Sequence, residues 1–172
     1  MKAKILMLAI VVASLFAFTP FANTAKAQTD PTQNIPVTGT FGKAGTFKGN
    51  YDIAKFVVNN GKIFAVGYLT GTLRNGAGTV VGRISNKKVL LPVTDLSSTC
   101  EILHLELGPV DLNLLGLVVH LDKIVLDISA TAAPGDLLGN LLCTLTHLLD
   151  IGASLTKIVN VLNQILAVLG AL

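Results

Sequence analysis

The residues best equipped for chemistry share one spacing. Cys100 and His104 stand four apart, and so do Cys143 and His147. Two thiolates and two imidazoles form a legitimate tetrahedral zinc set. On a helix, positions four apart share a face and chelate together; on a strand they stand about 13 Å apart, too far for one ion. The competing reading joins Cys100 to Cys143 as a disulfide and leaves His104 and His147 as ordinary polar residues. His120 and Asp122 offer a third possibility, since positions two apart on a strand share a face and a carboxylate beside an imidazole is half of a general-base arrangement. No Gly-x-Ser-x-Gly elbow supplies a nucleophile for it. Ser97 and Ser98 precede Cys100 in an apparent loop without a partner in any motif.

The choice between zinc and disulfide turns on compartment. The chain opens with a short basic stretch, an apolar run at residues 5–18, Pro20, and a small-x-small triplet at Ala25, Lys26 and Ala27. Those are the proportions of a secretory signal peptide cleaved before Gln28, so residues 1–27 are expected to leave and the product to be secreted or held in the cell envelope. Export favours the disulfide over zinc, and no metal or cofactor is expected. Lys2, Lys4 and Lys26 leave with the signal peptide, so the remainder carries ten basic and ten acidic residues and is formally neutral. Net neutrality withdraws the usual electrostatic argument for a nucleic-acid partner or an anionic membrane surface.

Residues 28–34 are polar with one Pro and read as a flexible leader. Residues 35–172 read as a single β-rich domain. Phe47, Tyr51 and Ile53 share one parity against Lys48, Asn50 and Asp52, the alternation of a half-buried strand, and the parity changes at Phe56 as it would at a bulge. Asn60-Gly61 sits between two β-rich runs and predicts a hairpin; Asn75-Gly76 ends the returning strand. Residues 89–93 read as a further short strand with Pro92 near an edge or end. The segment from Cys100 to Leu121 is apolar and long enough for a membrane span. It also holds Glu101, His104, Glu106, Asp111 and His120, which makes a lipid-embedded helix costly. It is read instead as strands over 101–107 and 111–121, the second a central strand apolar on both faces. A third strand follows a turn at Asp122-Lys123. No transmembrane segment is expected in the processed chain.

After Pro134-Gly135 the period becomes helical. Leucines 137, 138, 141, 142, 145, 148 and 149 form one stripe of a helix over 136–149, with Asp136 at its start. Ser154 is placed to cap a second helix over 154–170, with Ile158, Val159, Leu162, Ile165 and Leu169 facing inward. The expected fold is α+β: an antiparallel sheet, as a sandwich or a partly open barrel, covered by two C-terminal amphipathic helices.

Residues 100–117 (CEILHLELGPVDLNLLGL) and 137–143 (LLGNLLC) resemble a family of small exported bacterial proteins. These share a Cys-x-Ile-Leu-x-Leu segment, a Gly-Pro, an Asn-Leu-Leu-Gly-Leu strand and a Leu-Leu-Gly-Asn-Leu-Leu-Cys helix. The resemblance implies export and a two-cysteine framework and brings no activity with it.

The Gly-rich residues 41–49 lack the spacing and the following helix of a phosphate loop. The absence of Trp weighs against a sugar-stacking platform. The expected function is therefore that of an exported binding or structural domain, with an apolar or lipid-like ligand between sheet and helices, or self-association through the last helix, as routes to a partner. The alternative is a small exported hydrolase using His120 or His147.

Overall fold

A computed structural model describes residues 30–131 and 133–171. The expected signal peptide lies outside the described residues. The chain forms β1 (Ile35–Phe41), β2 (Gly45–Asn59), β3 (Lys62–Arg74), β4 (Val80–Ser98), β5 (Ile102–Leu107), β6 (Val110–Leu114), β7 (Leu117–Leu121) and β8 (Ile124–Ser129), then α1 (Leu137–Asp150) and α2 (Leu155–Leu169). All strand pairs are antiparallel, in one sheet of order β6-β7-β1-β2-β3-β4-β5-β8. The expected α+β class, a sheet with two C-terminal helices, is what forms.

Local chemistry accounts for the meander β1 to β4. Asn60 and Gly61 adopt φ of 49° and 71°, so Asn59 pairs with Lys62 across a two-residue turn. The parity change in β2 is a register shift between Ile53 and Lys55, which moves burial from Phe47, Tyr51 and Ile53 to Phe56. The expected short strand at 89–93 is one part of the 19-residue β4. Pro92 stands where β4 leaves β3 and takes up β5.

The segment expected as one strand over 111–121 is instead the hairpin β6–β7, turning at Leu115 and Gly116 with φ of 55° and 83°. It is not central: β6 ends the strand order, and Leu115 and Val118 are 63% and 66% exposed. Nor does Asp122-Lys123 fold β8 back on β7. From 102 with 129 to 114 with 117, partner numbers add to one constant total, so β5 with β6 and β7 with β8 are the two legs of one long ribbon. The ribbon breaks at residues 108–109 and 122–123. There the Gly108 N–H donates to Pro92 O on β4, and the Asp122 N–H donates to Thr38 O on β1. One leg thus follows β4 and the other β1, and the two ends of the strand order are halves of the same ribbon. Two-residue links reach only about 10 Å, so the sheet has to curl until its ends meet.

Buried residues of all eight strands and both helices form one core. Tyr51 is fully buried, and its hydroxyl donates to Ala65 O at 2.8 Å, with Val89 O at 3.2 Å. Burial pushes its phenol far above the ordinary value, so it stays a donor. Helix α2 lies on β2 beyond the reach of β1. Asn163 acts there as a neighbouring strand would: its Oδ1 accepts the Phe56 N–H at 2.8 Å and its Nδ2 donates to Phe56 O at 3.0 Å. Residues 30–34 are docked rather than loose, against the expectation of a flexible leader. Thr32 is buried, Ile53 N–H donates to Thr32 O, and Asn34 N–H donates to Asp52 Oδ1.

The helices begin and end within a residue of expectation. Ser154 and Asp136 occupy the N-cap positions but make no side-chain cap hydrogen bond. Leu137, expected inside, is exposed, because α1 buries only Gly139, Leu142 and Leu145 fully. The apolar stripe of α2 is buried within the chain. No helix among the described residues is long and apolar enough to cross a membrane.

Candidate functional site

Cys100, in the turn between β4 and β5, and Cys143, on the second turn of α1, form a disulfide with S–S 2.08 Å. Both sulfurs are thereby withdrawn from metal ligation, and no cluster of metal-ligating residues occurs among the described residues. The hydroxyls beside the bridge reinforce the same junction: Thr146 Oγ1 lies 3.2 Å from Ser98 Oγ and donates to Leu142 O at 2.9 Å. What the sulfur chemistry does here is to fasten helix to sheet.

The histidines do not converge. His104 points outward from β5, because its neighbours Leu103 and Leu105 face the core. Cross-strand register sets Asp127 of β8 directly opposite, and His104 Nδ1 lies 2.6 Å from Asp127 Oδ1. The other ring nitrogen, Nε2, lies 3.8 Å from Asp95 Oδ2 and from Glu106 Oε1. Glu106 in turn accepts from Lys123 Nζ at 2.7 Å. The hydrogen bond that His104 Nδ1–H donates to Asp127 is the main force holding the imidazole above its ordinary 6.5, with the nearby carboxylates adding to it. The Lys123 ammonium is the main force holding the Glu106 carboxyl below its ordinary 4.5.

On the other flank of His104, Ser97 of β4 is its ladder partner. Ser97, His104 and Asp127 thus occupy one row across three strands, a juxtaposition that sequence spacing did not announce. The order matches a nucleophile, base and carboxylate set, but the environment does not. The row lies on an exposed sheet face, and the carboxylates of Asp95 and Glu106 stand 3.8 Å from His104 Nε2. Neighbouring backbone N–H groups are engaged in sheet ladders rather than aimed at a developing oxyanion.

His120 does have a carboxylate partner, but not the expected Asp122. Asp111 faces it across the β6–β7 ladder, with His120 Nδ1 2.8 Å from Asp111 Oδ1. Asp122 instead accepts from the Thr38 hydroxyl and helps to close β1 on the ribbon. His147 is exposed on α1, on the side of the sheet junction marked by Cys143, and joins neither of the other histidines.

The pairing of His104 makes a definite prediction for pH. A raised folded-state value means that its contribution to stability is complete below pH 6.5 and is lost as pH rises through the folded value. In an NMR titration His104 should have a midpoint above 6.5 that moves back toward it in Asp127→Asn. An unmoved midpoint in that variant would show that the 2.6 Å contact does not operate in solution.

The concave side leaves little room. Between α2 and strands β2, β5 and β8 the free space is about 10 Å³, room for about one water at most. The larger depressions are open, one of about 510 Å³ between the β2–β3 turn, β4 and the α1–α2 connection. Comparison with known proteins adds nothing to this geometry: no family model, no curated protein and no solved structure matches the chain.

Proposed function

We propose that the protein is an exported, non-enzymatic domain that acts by binding at its surface. The observation that carries this reading is the filled interior. Between α2 and the sheet the described residues leave about 10 Å³, too little to house a lipid or desolvate a substrate there. An apolar ligand, if one is bound, sits in the open depression beside the α1–α2 connection, where Leu149, Leu155 and Ile158 meet Val93 and Leu96. The exported location rests on the secretory pattern of residues 1–27, on the disulfide, and on the resemblance of residues 100–143 to small exported bacterial proteins.

The test has two arms. Fractionation and N-terminal sequencing of the expressed protein are expected to find a product beginning at Gln28 outside the cytoplasm. A broad esterase and peptidase screen of that product is expected to show no turnover that His120→Ala or His147→Ala removes. Turnover lost in either variant would replace the binding reading with the hydrolase.

A further inference from the structure

The neutrality of the processed chain conceals a separation of charge. From residue 43 to 88 there are eight Lys and Arg and one acid, Asp52; from residue 95 to 150 there are eight acids and one base, Lys123. The meander places the first set on β2, β3 and β4 and their turns, and the ribbon and α1 carry most of the second.

Register brings part of the basic set onto one face. Lys48 of β2 pairs with Thr72 of β3, and Thr72 pairs with Arg83 of β4. All three alternate with residues that face the core, so the row lies on the convex side, its two cations about 10 Å apart. Arg74 and Lys88 lie on the same face to either side of that row. All four cations are exposed. Among the described residues the only Lys or Arg within 4 Å of a carboxylate is Lys123, which is not one of them.

Half of the acidic set is engaged within the chain. Asp111 and Asp127 are taken up by histidines, Glu106 by Lys123, Asp122 by Thr38. Asp52, the one acid within the basic stretch, accepts the Asn34 N–H. Four exposed cations on one face with no carboxylate within 4 Å among the described residues call for anions from outside the chain. The sheet curls away from any plane laid on this face, which suits a flexible chain better than a flat bilayer. Tyr68 is the one exposed aromatic side chain on these strands, too little for stacking a series of bases.

From these features we infer that the convex face of β2–β4 binds a flexible phosphate-bearing polyanion, with Lys48, Arg74, Arg83 and Lys88 as its contacts and the acidic ribbon excluding it from the rest of the surface. This rests on the reading of the protein as an exported binding domain and names the partner's chemistry.

The experiment is calorimetric titration of the processed, disulfide-bonded protein with linear long-chain polyphosphate. Four phosphate contacts to a flexible chain predict about 50-fold weaker binding at about 200 mM than at about 50 mM salt. Lys48→Glu with Arg83→Glu is expected to weaken binding at least about tenfold at the lower salt, whereas Lys157→Glu on α2 leaves it unchanged. Should the charge-reversed protein not fold, as judged by circular dichroism, Lys48→Gln with Arg83→Gln makes the same comparison. Absence of binding at low salt overturns the proposal, as does equal weakening by Lys157→Glu. Vesicles of anionic phospholipid that bind where polyphosphate does not would reassign the face to a membrane, and a salt-sensitive dimer in sedimentation would reassign it to a second copy. Hydrolase activity in the substrate screen counts against the binding-domain reading and leaves these titrations to be judged separately.

Discussion

Replacing Cys100 and Cys143 together by Ser should lower the melting temperature by about 10–20 °C, and reducing the native protein should produce the same shift. The bridge spans 43 residues of sequence, and on the chain-entropy model closing such a loop removes about 4 kcal/mol of disorder from the unfolded state. That is a large share of the net stability of one domain. The location adds to the effect. The bond ties the turn entering β5 to α1, and α1 fully buries only Gly139, Leu142 and Leu145, so it has few other large anchors. Loss of the bridge should therefore show first as hydrogen exchange along α1, before the meander opens. Thermal scans of oxidised, reduced and double-Ser protein decide the matter, and coincident melting within about 3 °C would refute the claim that this bond carries α1.

The parts of the fold that were legible in the sequence are those set within a few residues. Asn60-Gly61 announces its turn because few residue types accept two positive φ angles, and the bulge after Ile53 shows as a parity change at Phe56. The ribbon was misjudged for a reason that the same logic explains. Leu112 and Leu114 lie in one apolar row and Val119 and Leu121 in the other, which reads as a single strand buried on both faces. Yet each row belongs to a different strand, and the turn at Leu115 and Gly116 shifts the parity between them. Leu115 gives no signal of that turn, because a branched side chain at a φ of 55° is unusual and only the following Gly hints at it.

The histidine partners escaped notice through distance in sequence. Asp122, two residues along the strand from His120, is about 7 Å away at the backbone, while a residue directly across the ladder brings its Cβ to about 5 Å. Asp111 therefore holds His120, and Asp127, 23 residues away, holds His104. Spacing along the chain identified the right residue types and the wrong pairs. The charge separation, by contrast, is fully present in the order of residues; what spacing could not supply is that register sets Lys48, Arg74, Arg83 and Lys88 on one face with no carboxylate within 4 Å among the described residues.

The largest single-residue effect should be at Phe47, which is fully buried, and its cause is a pair of glycines. Gly49 and Gly71 are ladder partners on β2 and β3, and both face inward beside the Phe47 ring. A Cβ on Gly49 would lie 2.8 Å from Phe47 Cζ, and one on Gly71 would lie 2.5 Å from it. The ring thus occupies the space that two missing side chains vacate, covering backbone that would otherwise face a void. Phe47→Ala empties that space and should cost about 3–5 kcal/mol, or about 10–20 °C in melting temperature. Gly71→Ala fails for the converse reason. Its Cβ also meets Lys48 O at 2.7 Å, a backbone atom that cannot rotate aside, and overpacking should cost about 1–3 kcal/mol. If ring and glycines share one volume, Phe47→Leu relieves part of the clash. The double variant Phe47→Leu/Gly71→Ala should then be less destabilised than the sum of its singles by at least about 0.5 kcal/mol. Urea unfolding of the four proteins closes that cycle, and strictly additive costs would mean that Phe47 is held by the core at large and not by the glycine pair beneath it.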